Sequence, residues 1–212
     1  NDANTVGKML GYILSKEITQ TDGTVGGWAL SGKKPDPDVT GMALQAMAPY
    51  YLDRSKFEAE EVIFNEKNYT YEEFAQAVER GIYVLSLIQL ENGGFDSWGT
   101  INAESITQVI VALTELGIDP LAENIHLKTI DKTIGFVTDG KEHEGVFTNN
   151  MIDALLTFWA NGSGSAPEVG GFKHVTAGYD GGGGSGTGVN DMATDQALYG
   201  LIAYDRFKKG EK

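Results

Sequence analysis

The chain has 212 residues, 41% hydrophobic and 22% charged, with 16 basic against 30 acidic side chains and a formal charge of −14. Such a surface repels phosphate backbones and anionic bilayers, which excludes nucleic acid from the expected partners. No apolar run approaches the ~18 residues of a spanning helix, and the absence of cysteine removes disulfides, thiolate nucleophiles and cysteine-held metals without fixing a compartment. The size suits one sizeable core, and no linker divides it, so residues 1–212 are expected to form a single domain. A start at Asn1 without Met or a leader reads as a piece of a longer or processed protein.

Val6, Met9, Leu10, Ile13 and Leu14 recur at helical spacing and predict a first helix over about 5–19. Residues 23–37 read as loop and hold the turn Gly26-Gly27-Trp28. Asp36-Pro37-Asp38-Val39-Thr40 opens a second helix, which Pro49 should end or kink. An acidic residue just before a helix is usually a cap, so Asp38 is expected to accept the first backbone N–H groups. Residues 54–69 are mixed and polar, a loop with one short helical turn. Thr70 and Glu73 make a capping box, followed by Phe74, Val78, Ile82, Leu85 and Ile88 on one face of a third helix. After Gly93-Gly94-Phe95, Ile106, Val109, Ile110, Leu113 and Leu116 define a fourth, closed by Gly117.

Asn124 is placed to cap a fifth helix, with Leu127, Ile130, Ile134 and Val137 on its apolar side. Asn149 or Asn150 caps a sixth that carries Ile152, Leu155, Leu156 and Trp159. Gly162 to Pro167 is a flexible connection, and Asn190 or Asp191 opens a seventh helix running to about Lys208. No segment sustains strand alternation, so the expected class is all-α with about seven main helices. Helices one, three and five have a narrow apolar stripe suited to an outer layer; two, four, six and seven are broader and suit an inner one.

One unit recurs through this order: a helix end, a Gly-Gly-aromatic turn, a polar loop and a second helix led by Thr. Its turns are Gly26-Gly27-Trp28, Gly93-Gly94-Phe95 and Gly170-Gly171-Phe172, with a worn copy at Gly145-Val146-Phe147. The spacing from Gly27 to Thr40 equals that from Gly94 to Thr107, while Gly171 to Thr194 is longer by the Gly-rich insert Gly178 to Gly188. Helix, Gln-x-x-Asn-Gly-Gly-Phe and a Thr-led Ala/Leu helix together resemble the repeat of squalene cyclases and protein prenyltransferase β subunits. The pattern is similar also to cobalamin carriers and to cyclase-like modules of Gram-positive surface proteins. What this resemblance implies is an α/α toroid, complete or partial, with inner helices wrapped by outer ones and turn loops gathered at the inner-helix N-termini. It implies an extracellular or cell-surface setting too.

The resemblance also sets candidate chemistry. Class II cyclases use Asp-x-Asp-Asp-Thr, its middle Asp donating a proton. Here Asp38 falls on that donor and Asp36 on the first Asp, but Val39 replaces the third. The zinc site of prenyltransferases and the thioester of complement domains both need cysteine and are ruled out. Carriers hold a corrinoid against a further β domain, so corrinoid binding is implied by resemblance only, and no cofactor is expected. His126, His143 and His174 share no ligand spacing, no His–carboxylate pairing shows, and Glu142-His143-Glu144 reads as a solvated run. Nothing in Gly178 to Gly188 matches a phosphate loop.

Trp28, Phe95 and Phe172 are accounted for by the repeat as packed rings, which leaves Trp98 and Tyr179 as candidate contact aromatics. With Asp38, Glu104, Thr107, Asp191 and Gln196 in the first turns of inner helices, they make the expected binding end. The expected function is a binding or interaction module for a small molecule, glycan or protein, with a preference for a neutral or cationic flat apolar face. The alternative is an enzyme, either a cyclase-like isomerase with Asp38 as acid or a polysaccharide-processing barrel that needs two carboxylates in one cleft, with Asp38, Glu104 and Asp191 as candidates.

Overall fold

The computed structural model describes residues 4–138, 142–143, 146–147, 150–162, 169–177 and 188–211. Tyr179, Glu144, Gly145, Asn149 and nearly all of the Gly-rich insert lie outside them. The described residues hold seven helices and ten short strands, the strands paired as five two-stranded antiparallel ribbons. The class is therefore mixed rather than all-α: about half the chain is helical, and the ribbons join the helices. Most of these strands are two or three residues long, too short to leave a period-two pattern.

Helix α1 (Val6–Ser15) is capped by Thr5, which accepts from Lys8 N–H. It ends before residue 19 because Ile18 exchanges backbone bonds with Gly26 and Gly27, turning the chain back. Helix α2 (Pro37–Leu52) runs past Pro49 instead of stopping there. Tertiary bonds hold its last turn: Tyr51 Oη donates to Glu79 Oε1 at 2.8 Å and Tyr71 Oη donates to the Tyr51 carbonyl at 2.8 Å. The expected helical turn in 54–69 is α3 (Arg54–Glu58), followed by the ribbon β1 (Ile63–Phe64) and β2 (Lys67–Asn68). Helix α4 (Tyr71–Ile88) begins with the complete Thr70–Glu73 capping box.

The ribbon β3 (Asp96–Ser97) and β4 (Thr100–Ile101) leads into α5 (Ala103–Glu115), the most enclosed helix. Every residue from Ala103 to Leu113 except Gln108 is buried. Each large aliphatic such as Ile106, Ile110 or Leu113 gains ~2 kcal/mol over leaving it in water. Gly117, at φ 73°, ends the helix in the left-handed conformation.

No fifth helix forms at 124–137. The segment is a hairpin, β5 (Ile125–Leu127) and β6 (Lys132–Ile134), with Asp131 at φ 50° in its turn. Buried Glu79 on α4 holds that turn, accepting from Thr129 N–H and Thr129 Oγ1 at 2.6 Å each and from Ile130 N–H at 3.3 Å. Ile and Thr suit a pleated ribbon, and Gly135 passes so close to Glu123 that a Cβ there would sit 2.4 Å from its carbonyl oxygen. The ribbon β7 (Glu142–His143) and β8 (Val146–Phe147) follows. Helix α6 (Met151–Leu156), capped by Asn150, is only six residues long. Trp159, expected on that helix, lies in β9 (Trp159–Asn161), which pairs with β10 (Val169–Phe172). Helix α7 (Asp191–Lys209) is capped by Asn190, not Asp191.

Helix α5 packs most extensively on α7 and α2. Glycines permit the close approach: a Cβ on Gly41 would lie 2.8 Å from the Gln108 carbonyl oxygen, and one on Gly200 would lie 2.9 Å from Thr107 Cγ2. A cluster of buried side chains runs from Leu10 to Ala197 and includes Trp28, Phe95 and Phe172, each at most 3% exposed.

Candidate functional site

The repeat clamps its own turns. Trp28 N–H donates to Thr40 Oγ1 at 2.9 Å, and that hydroxyl donates to the Trp28 carbonyl at 3.1 Å. Thr194 does the same for Phe172, at 2.9 and 3.4 Å. Both threonines stand in the first turn after their caps, so turn and helix are fastened together. Thr107 breaks the expected equivalence. The loop ahead of α5 is one residue shorter than that ahead of α2, so equal sequence spacing carries Thr107 one position further into its helix. Its hydroxyl donates instead to the Ala103 carbonyl at 2.9 Å, and its methyl packs on Gly200.

With the turns fixed in this way, the N-terminal ends of α2, α5 and α7 open onto one cleft of about 950 Å³. Asp38, Trp98, Glu104 and Gln196 line it. Thr107 is fully buried and does not, and Asp191 is exposed and outside the lining. Tyr179 is among the residues not described.

Asp36, not Asp38, caps α2. Its Oδ1 accepts from Asp38 N–H at 3.0 Å and Val39 N–H at 3.1 Å, and its Oδ2 accepts from the Ser97 hydroxyl. That leaves the Asp38 side chain to face the cleft. Its carboxyl is pushed up from 3.8 to about 6, first by burial, then by the charge of Asp36, with Glu104 adding to it. The nearby hydroxyls of Ser105 and Ser97 pull it back in part, yet Asp38 Oδ1 is buried and no hydrogen bond closes on it among the described residues.

Glu104 and His174 form a buried pair, Oε2 to Nδ1 at 2.7 Å, contrary to the expectation that no histidine meets a carboxylate. The two lie far apart in the chain, and His174 is brought in by the backbone bond from Ala103 N–H to its carbonyl. Beside them a glutamine series crosses the three helices: Gln45 Nε2 donates to Gln108 Oε1 at 2.8 Å, and Gln108 Nε2 donates to Gln196 Oε1 at 3.0 Å.

The rim is apolar. Leu30 is 84% exposed and Trp98 82%, and Met42 and Met192 are half-exposed in the same lining. Trp98 and Gly99 are the two central residues of the β3–β4 turn, at φ 52° and 86°. A left-handed conformation is ordinary for Gly99 but costs a tryptophan ~1–2 kcal/mol. Sequence reasoning missed the cap role of Asp36, the His174 pairing and the rim residues Leu30, Met42 and Met192. Asp36 alone had a local signal, the helix-start proline that follows it.

Fold and site thus define a helix-rich protein in which three helix N-termini surround an acidic floor beneath an apolar rim. Comparison with family models, with curated proteins and with solved structures found no match to this chain. No helix among the described residues is long and apolar enough to cross a membrane.

Proposed function

We propose that this chain is a binding module, of α/α toroid-like construction and displayed outside the cell, that holds a small ligand with a flat apolar face in the cleft at its helix N-termini. The observation that carries this reading is Trp98, a large aromatic kept 82% exposed and in a left-handed conformation on the rim. Strain of this kind persists where something other than folding maintains it. The cleft has the volume of a small-molecule site and a few convergent polar groups at its floor. The repeat supports the toroid and the extracellular setting.

The test uses 4-tert-butylphenol as a flat apolar probe, titrated while the Trp98 indole N–H resonance is followed. Saturable shifts of the Trp98 indole are expected, with calorimetric binding of the probe lost in a folded Trp98→Asn variant; shifts confined to other sites would overturn the reading.

Asp38 favours a second reading. A carboxyl that titrates near 6 in a cleft, close to the Glu104 carboxylate, is suited to general acid chemistry. Turnover of a polyprenyl or polysaccharide substrate that disappears in Asp38→Asn would establish it over simple binding.

A further inference from the structure

We propose that the ligand of this cleft is an organic cation with an apolar body, its charge set against Asp38 and its body against Trp98 and the two methionines. This rests on the binding reading above and adds the charge class. The groups facing the cleft are unbalanced. Asp36 and Asp38 come from the start of α2, Asp96 from β3 and Glu104 from α5, while Lys34 and the Glu104-paired His174 are the basic groups of the lining among the described residues. Both oxygens of Asp36 are engaged by backbone N–H groups and Ser97, and Glu104 is engaged through Oε2 by His174. Asp38 forms no ion pair among the described residues. The Ser105 and Ser97 hydroxyls lie beside it, and its buried Oδ1 receives no hydrogen bond from the described residues.

A half-buried carboxylate with one oxygen shielded from water and no counter-charge is costly in its ionised form, and a positive group brought into the cleft offsets that cost. An anion would face four carboxylates. A neutral ligand would leave Asp38 as it is. The rim agrees with a cation: an exposed indole face attracts positive charge by its quadrupole, and the thioethers of Met42 and Met192 are polarisable and adaptable. A chain carrying −14 also draws cations toward itself over longer range.

Two probes of one shape separate charge from shape: 4-hydroxyphenyltrimethylammonium and its neutral carbon isostere 4-tert-butylphenol. Each is titrated into the whole chain at low salt by calorimetry, with the Trp98 indole resonance reporting the site. The cation is expected to bind at least tenfold more tightly than the isostere. Asp38→Asn is expected to bring the two within about twofold of each other. Protonating Asp38 in the unaltered protein, by moving from pH 7 to pH 5, is expected to weaken the cation about tenfold while leaving the phenol unchanged; this arm does not depend on any variant folding.

Equal affinities at Trp98, or a cation affinity indifferent to pH, would overturn the charge assignment while the cleft reading stands. Failure of both probes to move the Trp98 resonance would remove the cleft reading and this one together.

Discussion

At the scale of single residues, Asp38 makes the clearest stability claim. Its carboxyl titrates near 6 in the fold against an ordinary value of 3.8, so the folded state binds this proton more tightly than the unfolded chain. Stability therefore falls as pH rises from about 4 to about 6, and the full penalty is present above that. It amounts to at most about 3 kcal/mol. Asp38→Asn removes the charge and should melt several degrees above the unaltered protein at pH 8, with the gap closing toward pH 4. Equal melting temperatures at pH 8 would show that Asp38 is well solvated. Trp98 carries a second cost. Asn-Gly is the favoured pair for a turn with two positive φ values, so Trp98→Asn should stabilise the protein by ~1 kcal/mol in denaturant unfolding, even as it empties the rim.

At the scale of elements, the close approach of α2 to α5 inverts an ordinary rule. Alanine is normally better than glycine inside a helix by about 1 kcal/mol. At Gly41 the added methyl meets the Gln108 carbonyl at 2.8 Å, and backbone cannot swing aside as a side chain can. Gly41→Ala should therefore destabilise by ~1–3 kcal/mol, read as a lower denaturant midpoint; a higher midpoint would mean the helices part without loss. The β5–β6 hairpin depends on one carboxylate. Glu79 serves Tyr51, Thr129 and Ile130 at once and is 2% exposed. Glu79→Gln keeps the shape but weakens charge-assisted bonds, so ~2 kcal/mol of stability should be lost. Amides at Ile125 to Ile134 should then exchange hydrogen faster than those of α5; uniform exchange would place the loss elsewhere.

At the scale of the whole molecule, 30 acidic against 16 basic side chains set the behaviour in salt. The described ion pairs are mostly at the surface, and only the Arg80–Glu17 and Glu104–His174 pairs are well shielded. Self-repulsion thus outweighs exposed pairing, which is worth little in water. Raising sodium chloride from about 20 mM to about 500 mM shortens the screening length from roughly 20 Å to roughly 4 Å and should raise the melting temperature. A fall with salt would mean that the surface pairs dominate after all. The same negative field surrounds a cleft whose own lining is acidic, so affinity for a cation should decline over the same range.

By itself the sequence determined the helices that carry a long, one-sided apolar period. Phe74 to Ile88 and Ile106 to Glu115 are helical as their spacing requires, and Thr70, Glu73 and Gly117 act at the ends because caps bond to groups three or four residues away. Asp38, Glu104 and Gln196 were legible as a group for the same reason: each lies in the first turns of a helix. Tertiary structure decided the rest. The segment from Leu127 to Val137 has an apolar spacing that fits helix or ribbon, and Glu79, some fifty positions upstream, chose the ribbon. A loop one residue shorter moved Thr107 out of the clamp that Thr40 and Thr194 make. Ser97 reaching Asp36, and His174 reaching Glu104, are contacts between sites 61 and 70 positions apart. Local periodicity carries no record of which loop closes over which helix end; packing of α5 against α2 and α7 settles that, and with it the charge of the cleft.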